Sequence, residues 1–110
     1  MGVPVTRLDE SHSGQTLRAA VGETLELSLG EKPTTGHRWE VVSSGDPVCS
    51  LRETSFAPTS MRPGGGGVRR FAFDLEGAGE GEIVLVYRRA WEKGKGAREF
   101  RLRVLGEQPA

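Results

Sequence analysis

Apolar and polar residues alternate with a period of two along much of this 110-residue chain, which is the pattern of half-buried β-strands. Segment 24–29 places three leucines on one face, and segments 71–75 and 100–104 repeat the alternation. Segment 82–87 is apolar without alternation, which predicts a central strand covered on both faces. No segment has a helical period of useful length. The pattern predicts strands at 3–8, 16–20, 24–29, 37–43, 48–56, 68–75, 82–89 and 97–104.

Eight short strands separated by turn residues predict an all-β fold, an antiparallel β-sandwich or barrel rather than βαβ units. The length predicts one domain over residues 1–110, with no room for a second core. A chain of this size buries roughly two-thirds of its unfolded surface, which is enough to fold without disulfides but not to enclose a deep cavity as well. The polar tail 106–110 is expected to fray.

The links between the predicted strands fall into two kinds. Successive antiparallel strands reverse direction, so alternate links emerge at the same end of the domain. One end would carry short or glycine-rich turns at 21–23, 44–47 and 76–81. The other end would carry the links that hold 33–36, 57–67 and 90–96. These contain a Pro-Thr-Thr-Gly sequence, four consecutive glycines and a tryptophan, so this end is predicted to bind a partner.

The charge balance argues against several partner classes. Lysine and arginine total 15 and aspartate and glutamate total 15, and the basic residues are scattered among the acids, so we expect no nucleic-acid partner. No run approaches the roughly 18 apolar residues of a membrane span. Residues 1–6 do not resemble a secretory signal peptide; the compartment stays open, and a secreted or periplasmic protein would fit if a leader had been removed. Monomer is the expected state.

Catalytic and metal chemistry is poorly represented. The single cysteine, Cys49, cannot form an intrachain disulfide and lies in a predicted strand, as a small core residue would. A cysteine–histidine pair would have to combine it with His12 or His37, and neither histidine has an obvious carboxylate orienter nearby in sequence. The spacing matches no zinc site, and the glycine run precedes a predicted strand rather than a P-loop helix. We therefore expect a non-enzyme without catalytic residues, metal or cofactor.

Each of the three unusual links has a structural and a functional interpretation. Segment 33–36 could be an ordinary turn, because proline restricts φ and glycine permits positive φ. Four glycines at 64–67 exceed the needs of a hairpin, and their missing side chains would let a partner approach the backbone. Trp91 stands among charged residues, so it is either a core residue with outward-pointing neighbours or an anchor in an interface.

Taken in order, these segments resemble the chagasin-like inhibitors of papain-type cysteine proteases. That family carries Asn-Pro-Thr-Thr-Gly-aromatic, Gly-x-Gly-Gly and Arg-Pro-Trp or Arg-Pro-Phe motifs in three loops. This chain has Lys-Pro-Thr-Thr-Gly-His at 32–37, four glycines at 64–67 and Arg-Ala-Trp at 89–91. The resemblance covers about 21–104, and its aromatic flanks are Trp39, Phe71, Phe73 and Tyr87.

The resemblance implies an immunoglobulin-like antiparallel β-sandwich that inhibits a papain-like cysteine protease reversibly and without covalent chemistry. Three loops at one end would fill the protease cleft. Segment 34–36 would cover the catalytic nucleophile, glycines 64–67 would lie along one wall, and Trp91 would dock on the other. The implied protease-binding residues are Pro33, Thr34, Thr35, Gly36, His37, Gly64, Gly65, Gly66, Gly67, Arg89, Ala90 and Trp91.

Three residues depart from the family pattern. Lys32 replaces asparagine, His37 replaces an aromatic residue, and Ala90 replaces proline. Each change would cost about 1 kcal/mol or less of loop pre-organisation. The alternative hypothesis is a non-inhibitory immunoglobulin-like interaction or adhesion module that binds through the same loops or through a strand edge.

Overall fold

The computed structural model describes residues 4–59, 65–91 and 98–109, and the predicted all-β fold is confirmed. The strands are β1 Val5–Leu8, β2 Thr16–Ala20, β3 Thr24–Glu31, β4 His37–Ser44, β5 Cys49–Pro58, β6 Gly67–Leu75, β7 Gly79–Arg89 and β8 Arg98–Glu107. Two single 3₁₀ turns, Glu10–His12 and Pro33–Thr35, are the helical elements of the described residues. Neither is long or apolar enough to cross a membrane.

The strands form two four-stranded sheets, in the orders β1-β3-β6-β5 and β2-β8-β7-β4. Strand pairs β3–β6, β5–β6, β4–β7 and β7–β8 are antiparallel, as predicted. The edge pairs β1–β3 and β2–β8 are instead parallel. The reason is that these partners are an even number of strands apart in the chain, and successive strands reverse direction. A period-two pattern gives a strand's faces but not the direction of its neighbour.

The core lies between the sheets and is built from the alternating positions that the sequence indicated. Leucines of β3 and phenylalanines of β6 face apolar residues of β7 and β8. The fully buried side chains are Leu25, Leu27, Leu29, Cys49, Phe73, Ile83, Leu85, Phe100, Leu102 and Val104. All of residues 83–87 are buried, as the apolar run of β7 predicted for a central strand. Burial raises the pKa of the Cys49 thiol to about 11.

The C-terminal strand continues two residues into the segment that was expected to fray. Gly106 is buried and pairs with both Ala19 and Gly79. A Cβ atom on Gly106 would lie 2.4 Å from the carbonyl oxygen of Gly77, so glycine lets the strand pass this turn. The carbonyl of Glu107 accepts a hydrogen bond from Val21 N at 2.8 Å.

The strand registers show which links share an end of the sandwich. Glu31 and Pro58 both pair with Gly67, which brings together the ends of β3 and β5 and the start of β6. In the other sheet, His37 pairs with Arg89, so β4 begins where β7 ends. We call this the loop end, with loop 1 at 32–36, loop 2 at 59–66 and loop 3 at 90–97. The short turns occupy the opposite end.

Candidate functional site

Loop 1 is a 3₁₀ turn held by hydrogen bonds of its own. The carbonyl oxygen of Lys32 accepts from Thr35 N at 3.1 Å and from Thr35 Oγ1 at 2.8 Å. Because the Thr35 hydroxyl hydrogen is used there, Nδ1 of His37, 3.0 Å from Oγ1, is the donor in the second contact. Gly36 has φ of +81°, which favours glycine. These bonds order the loop without the family's asparagine at position 32, and they leave Thr34 exposed.

An aromatic stack supports loop 1 from below. The rings of His37 and Tyr87 stack with centroids 5.3 Å apart, and Trp39 contacts the Tyr87 ring at 5.1 Å. The Tyr87 hydroxyl accepts a hydrogen bond from Lys32 N at 2.9 Å. Trp39 Nε1 donates to the carbonyl of Gly30 at 2.8 Å. The stack thereby joins the two ends of loop 1, which follows β3 in one sheet and precedes β4 in the other.

Loop 3 packs directly on loop 1. A Cβ atom placed on Gly36 would lie 3.5 Å from Cη2 of Trp91, so the indole rests against the glycine backbone. Arg89 Nε donates to the carbonyl of Thr35 at 3.3 Å, and its guanidinium lies 5.8 Å from the Trp91 ring centroid. Trp91 is nevertheless 73% exposed. This exposure rules out the core interpretation of the tryptophan and leaves its large apolar surface available to a partner.

The glycines at 64–66 in loop 2 differ from one another in their surroundings. Gly64 lies outside the described residues, and Gly65 is half-buried. The carbonyl oxygen of Gly66 accepts hydrogen bonds from Thr59 N and Oγ1, both at 3.2 Å. A Cβ atom placed on Gly66 would lie 3.1 Å from the Lys32 side chain. Loops 1 and 2 are therefore in contact.

Gly67 has a structural reason to be glycine. It is buried in β6, and a Cβ atom there would lie 2.5 Å from both the carbonyl oxygen of Ala57 and Cζ of Phe56. The interpretation that the glycine run leaves backbone bare for a partner therefore does not account for this position. Close packing between β5 and β6 does.

The sequence analysis missed a buried ion pair beneath the loops. Both Glu31 carboxylate oxygens accept from Arg69, from Nη2 at 3.0 Å and Nε at 3.2 Å, and Trp39 N donates to the same carboxylate at 3.2 Å. The Glu31 side chain has no solvent exposure. This Glu31 cluster, formed by Glu31, Arg69 and Trp39, joins β3, β6 and β4 at the points where loops 1 and 2 begin or end.

A second charged contact lies beside the first. Arg98, the first residue of β8, lies over the rings of Trp39 and Tyr87 at 5.4 and 5.5 Å. It pairs with Glu10, whose carboxylate also accepts from Gly30 N at 3.1 Å. The strand that leaves loop 3 is therefore attached to the same aromatic stack as loop 1.

The three residues considered for catalysis, Cys49, His12 and His37, have structural contacts instead. Cys49 has no exposed surface, and with its raised pKa the thiol stays protonated at neutral pH. His12 Nδ1 accepts from Asp9 N at 3.1 Å in a cap of the first 3₁₀ turn, and His37 is bonded within loop 1. In the part of the chain that the structure describes, no group of three or more His, Cys, Asp and Glu residues could hold a metal ion. The loop end offers shape, hydrogen bonds and apolar surface.

A β-sandwich that carries mutually packed loops at one end, with an exposed tryptophan among them, defines a protein-binding scaffold. The family model for Chagasin family peptidase inhibitor I42 matches residues 18–104 of the chain. The chain belongs to the chagasin family of peptidase inhibitors.

Individual relatives agree with this assignment. Chagasin of Trypanosoma cruzi is 32% identical over 90 residues, which are 77% of this chain and 82% of chagasin. Amoebiasin-1 of Entamoeba histolytica is 36% identical over 102 residues, which are 88% of this chain and 95% of amoebiasin-1. The solution structure of amebosin is 33% identical with a TM-score of 0.79, covering 96% of this chain and all of amebosin (100%).

More distant solved structures share the fold. The cysteine protease inhibitor EhICP2 of Entamoeba histolytica has a TM-score of 0.82 at 21% identity, over 94% of this chain and 96% of EhICP2. PbICP-C, solved in complex with falcipain-2, has a TM-score of 0.65 at 18% identity, over 94% of this chain and 99% of PbICP-C. Members of the matched family are peptidase inhibitors rather than enzymes, so the alternative of a non-inhibitory interaction module is not favoured.

Proposed function

We propose that this protein inhibits papain-type cysteine proteases by occupying the active-site cleft with loops 1, 2 and 3. The observation that carries the proposal is the direct packing of exposed Trp91 and Arg89 onto loop 1, in a chain that belongs to a peptidase inhibitor family. Inhibition is reversible and non-covalent, because the described residues of the loop end supply contacts and no reactive group.

Loop 1 resists cleavage because its backbone is folded. A protease must bind a peptide with the scissile carbonyl aligned beside its nucleophile. In loop 1 the carbonyl of Lys32 is already engaged by Thr35, and Gly36 turns the chain with positive φ. In the proposed complex, segment 34–36 covers the protease nucleophile without presenting an aligned bond.

The packing of the loops would also favour affinity. A flexible loop loses conformational entropy when it binds, whereas a loop that is ordered beforehand loses less. Loop 1 is hydrogen-bonded internally, stacked on Tyr87 through His37 and covered by Trp91. We assign loop 2 to one wall of the cleft and Trp91 to the other, with about 800 Å² buried on each partner.

The test is a titration of active papain and of a cathepsin L-type protease with the protein at fixed substrate. We expect stoichiometric inhibition that reverses on dilution, and an inhibitor that is recovered uncleaved. Trp91→Ala should weaken inhibition about 30-fold, the equivalent of ~2 kcal/mol for an interface anchor. Thr34→Arg should abolish inhibition by placing bulk against the nucleophile.

Val42→Ala is the matched control, since it shortens another exposed apolar side chain on the scaffold. Its inhibition should equal that of the unchanged protein. If the protein inhibits neither protease at micromolar concentration, the proposed function is refuted. Inhibition that survives both loop substitutions would refute the assignment to the loops.

A further inference from the structure

The zero net charge of the chain conceals a separation of charge between the two ends of the sandwich. The three turns at the end opposite the loops, 21–23, 45–48 and 76–78, contain the acidic residues Glu23, Asp46 and Glu76 and no basic residue. The 11 residues of β7 run from one of these turns to loop 3, a distance of about 33 Å at ~3.3 Å per residue. The two ends are therefore far enough apart for their charges to act separately on an approaching partner.

The loop end has the opposite sign. Taken as far as the strand positions level with Arg69 and Glu40, its described residues include six basic side chains and four acidic ones, for a net charge of +2. The basic residues are Lys32, Arg38, Arg69, Arg88, Arg89 and Arg98, and the acidic residues are Glu10, Glu31, Glu40 and Glu99. Each carboxylate is paired with one arginine, namely Arg98, Arg69, Arg88 and Arg101 respectively.

Two of the remaining cations face solvent. Lys32 in loop 1 and Arg38 in β4 are exposed, and neither takes part in an ion pair within residues 4–59, 65–91 and 98–109. Arg38 also lies directly opposite Arg88 in the β4–β7 register. Like charges at directly opposed positions destabilise a sheet. Glu40 compensates Arg88 at 3.0 Å, so Arg38 is the cation of this pair that an acidic partner would balance.

We propose that the loop end is an electrostatic docking surface selective for cysteine proteases whose cleft rim is acidic. This inference rests on the proposed function and specifies the partner within it. Charge complementarity acts mainly on the association rate and on the choice of partner, and rim charges change the rate of encounter more than that of release. Because the chain has no net charge, the attraction orients the inhibitor with its loops toward the protease.

The test compares association and dissociation rates by stopped flow for two papain-type proteases, one with an acidic cleft rim and one with a basic rim. The salt concentration is varied between about 0.01 M and 1 M, which shortens the Debye length from about 30 to 3 Å. We expect the association rate with the acidic protease to be higher at low salt and to fall on the order of tenfold or more across this range. The rate with the basic protease should stay level or rise.

Two matched variants distinguish an effect of the docking surface from an effect of the net charge of the protein. Arg38→Glu should lower the low-salt association rate with the acidic protease several-fold and leave the dissociation rate unchanged. Arg18→Glu makes the same change in net charge on β2, where Arg18 pairs with Glu107 away from the loops, and should have a much smaller effect. Thermal unfolding of both variants confirms that each is folded.

Equal effects of the two substitutions, or a salt-independent association rate with the acidic protease, would overturn the docking surface while leaving inhibition itself intact. Absence of inhibition of both proteases would instead overturn the proposed function, and the docking surface with it.

Discussion

Replacing Glu31 by alanine is expected to destabilise the protein more than almost any other single change at the loop end. The substitution removes a carboxylate without solvent exposure that accepts two hydrogen bonds from Arg69 and one from Trp39 N. It leaves the Arg69 guanidinium without its acid and the Trp39 amide without its acceptor.

The structure allows the size of the effect to be worked out. Breaking a buried ion pair by removing one partner costs about 3–5 kcal/mol. Arg69 retains 22% exposure of its side chain and lies 5.2 Å from the ring of Phe56, so water and that ring compensate part of the loss. An unpaired buried amide adds about 1 kcal/mol. We expect a total of about 3–4 kcal/mol, a large share of the ~5–15 kcal/mol by which domains are stable.

Urea unfolding followed by tryptophan fluorescence measures this difference, and two further variants test its cause. Glu31→Gln keeps an acceptor for Trp39 N and loses only the charge, so it should cost about half as much. The double variant Glu31→Met with Arg69→Met replaces both charges by apolar side chains and should be much closer to the unchanged protein than either single removal. A cost below about 1 kcal/mol for Glu31→Ala, or additive costs in the double variant, would refute the reasoning.

Three further outcomes follow from single contacts. Gly67→Ala should cost about 1–3 kcal/mol in urea unfolding, because its Cβ would meet backbone of the neighbouring strand at 2.5 Å. Gly30→Ala should be nearly neutral, because its Cβ would contact only the Glu10 carboxylate, at an ordinary 3.6 Å. Tyr87→Phe should cost about 1 kcal/mol and speed hydrogen exchange at the Lys32 amide, which loses its acceptor. Burial raises the pKa of Cys49 from 9.0 to about 11, so the free energy of unfolding should be unchanged below pH 9 and should fall by about 3 kcal/mol as the pH rises through 11. Cys49→Ala should lack this decrease. If the free energy of unfolding falls equally with pH in the variant and in the unchanged protein, this reasoning is contradicted.

Much of the scaffold was predictable because strands that bury one face have a period of two. The same rule reaches further than the sequence analysis took it. Continuing the leucine alternation of β3 by one step arrives at Glu31, and stepping back from the phenylalanines of β6 arrives at Arg69. Two opposite charges on the buried faces of paired strands are a signal for an ion pair.

Other features depend on distances that no local pattern contains. The position of Trp91 against Gly36 follows from the pairing of β4 with β7, which brings together residues far apart in sequence. The parallel pairing of β1 with β3 and of β2 with β8 likewise depends on which strands become neighbours in each sheet. The role of Gly67 could not be separated from that of the glycines before it, because the identity of a residue does not reveal what a missing side chain would have touched.

The edge position of the N-terminal strand β1 has a practical consequence for the design of truncated versions of this domain. The family match begins at residue 18, beyond β1 and the first 3₁₀ turn, yet β1 covers the outer side of β3 with four paired residues. Removing it would expose the β3 backbone as an open edge, the kind of surface on which chains polymerise into extended sheets. It would also take away Glu10, and with it the attachment of Arg98 and Gly30 at the loop end. A fragment trimmed to the matched limits would thus be an aggregation hazard with a loosened binding end, so the smallest useful unit begins before the family boundary.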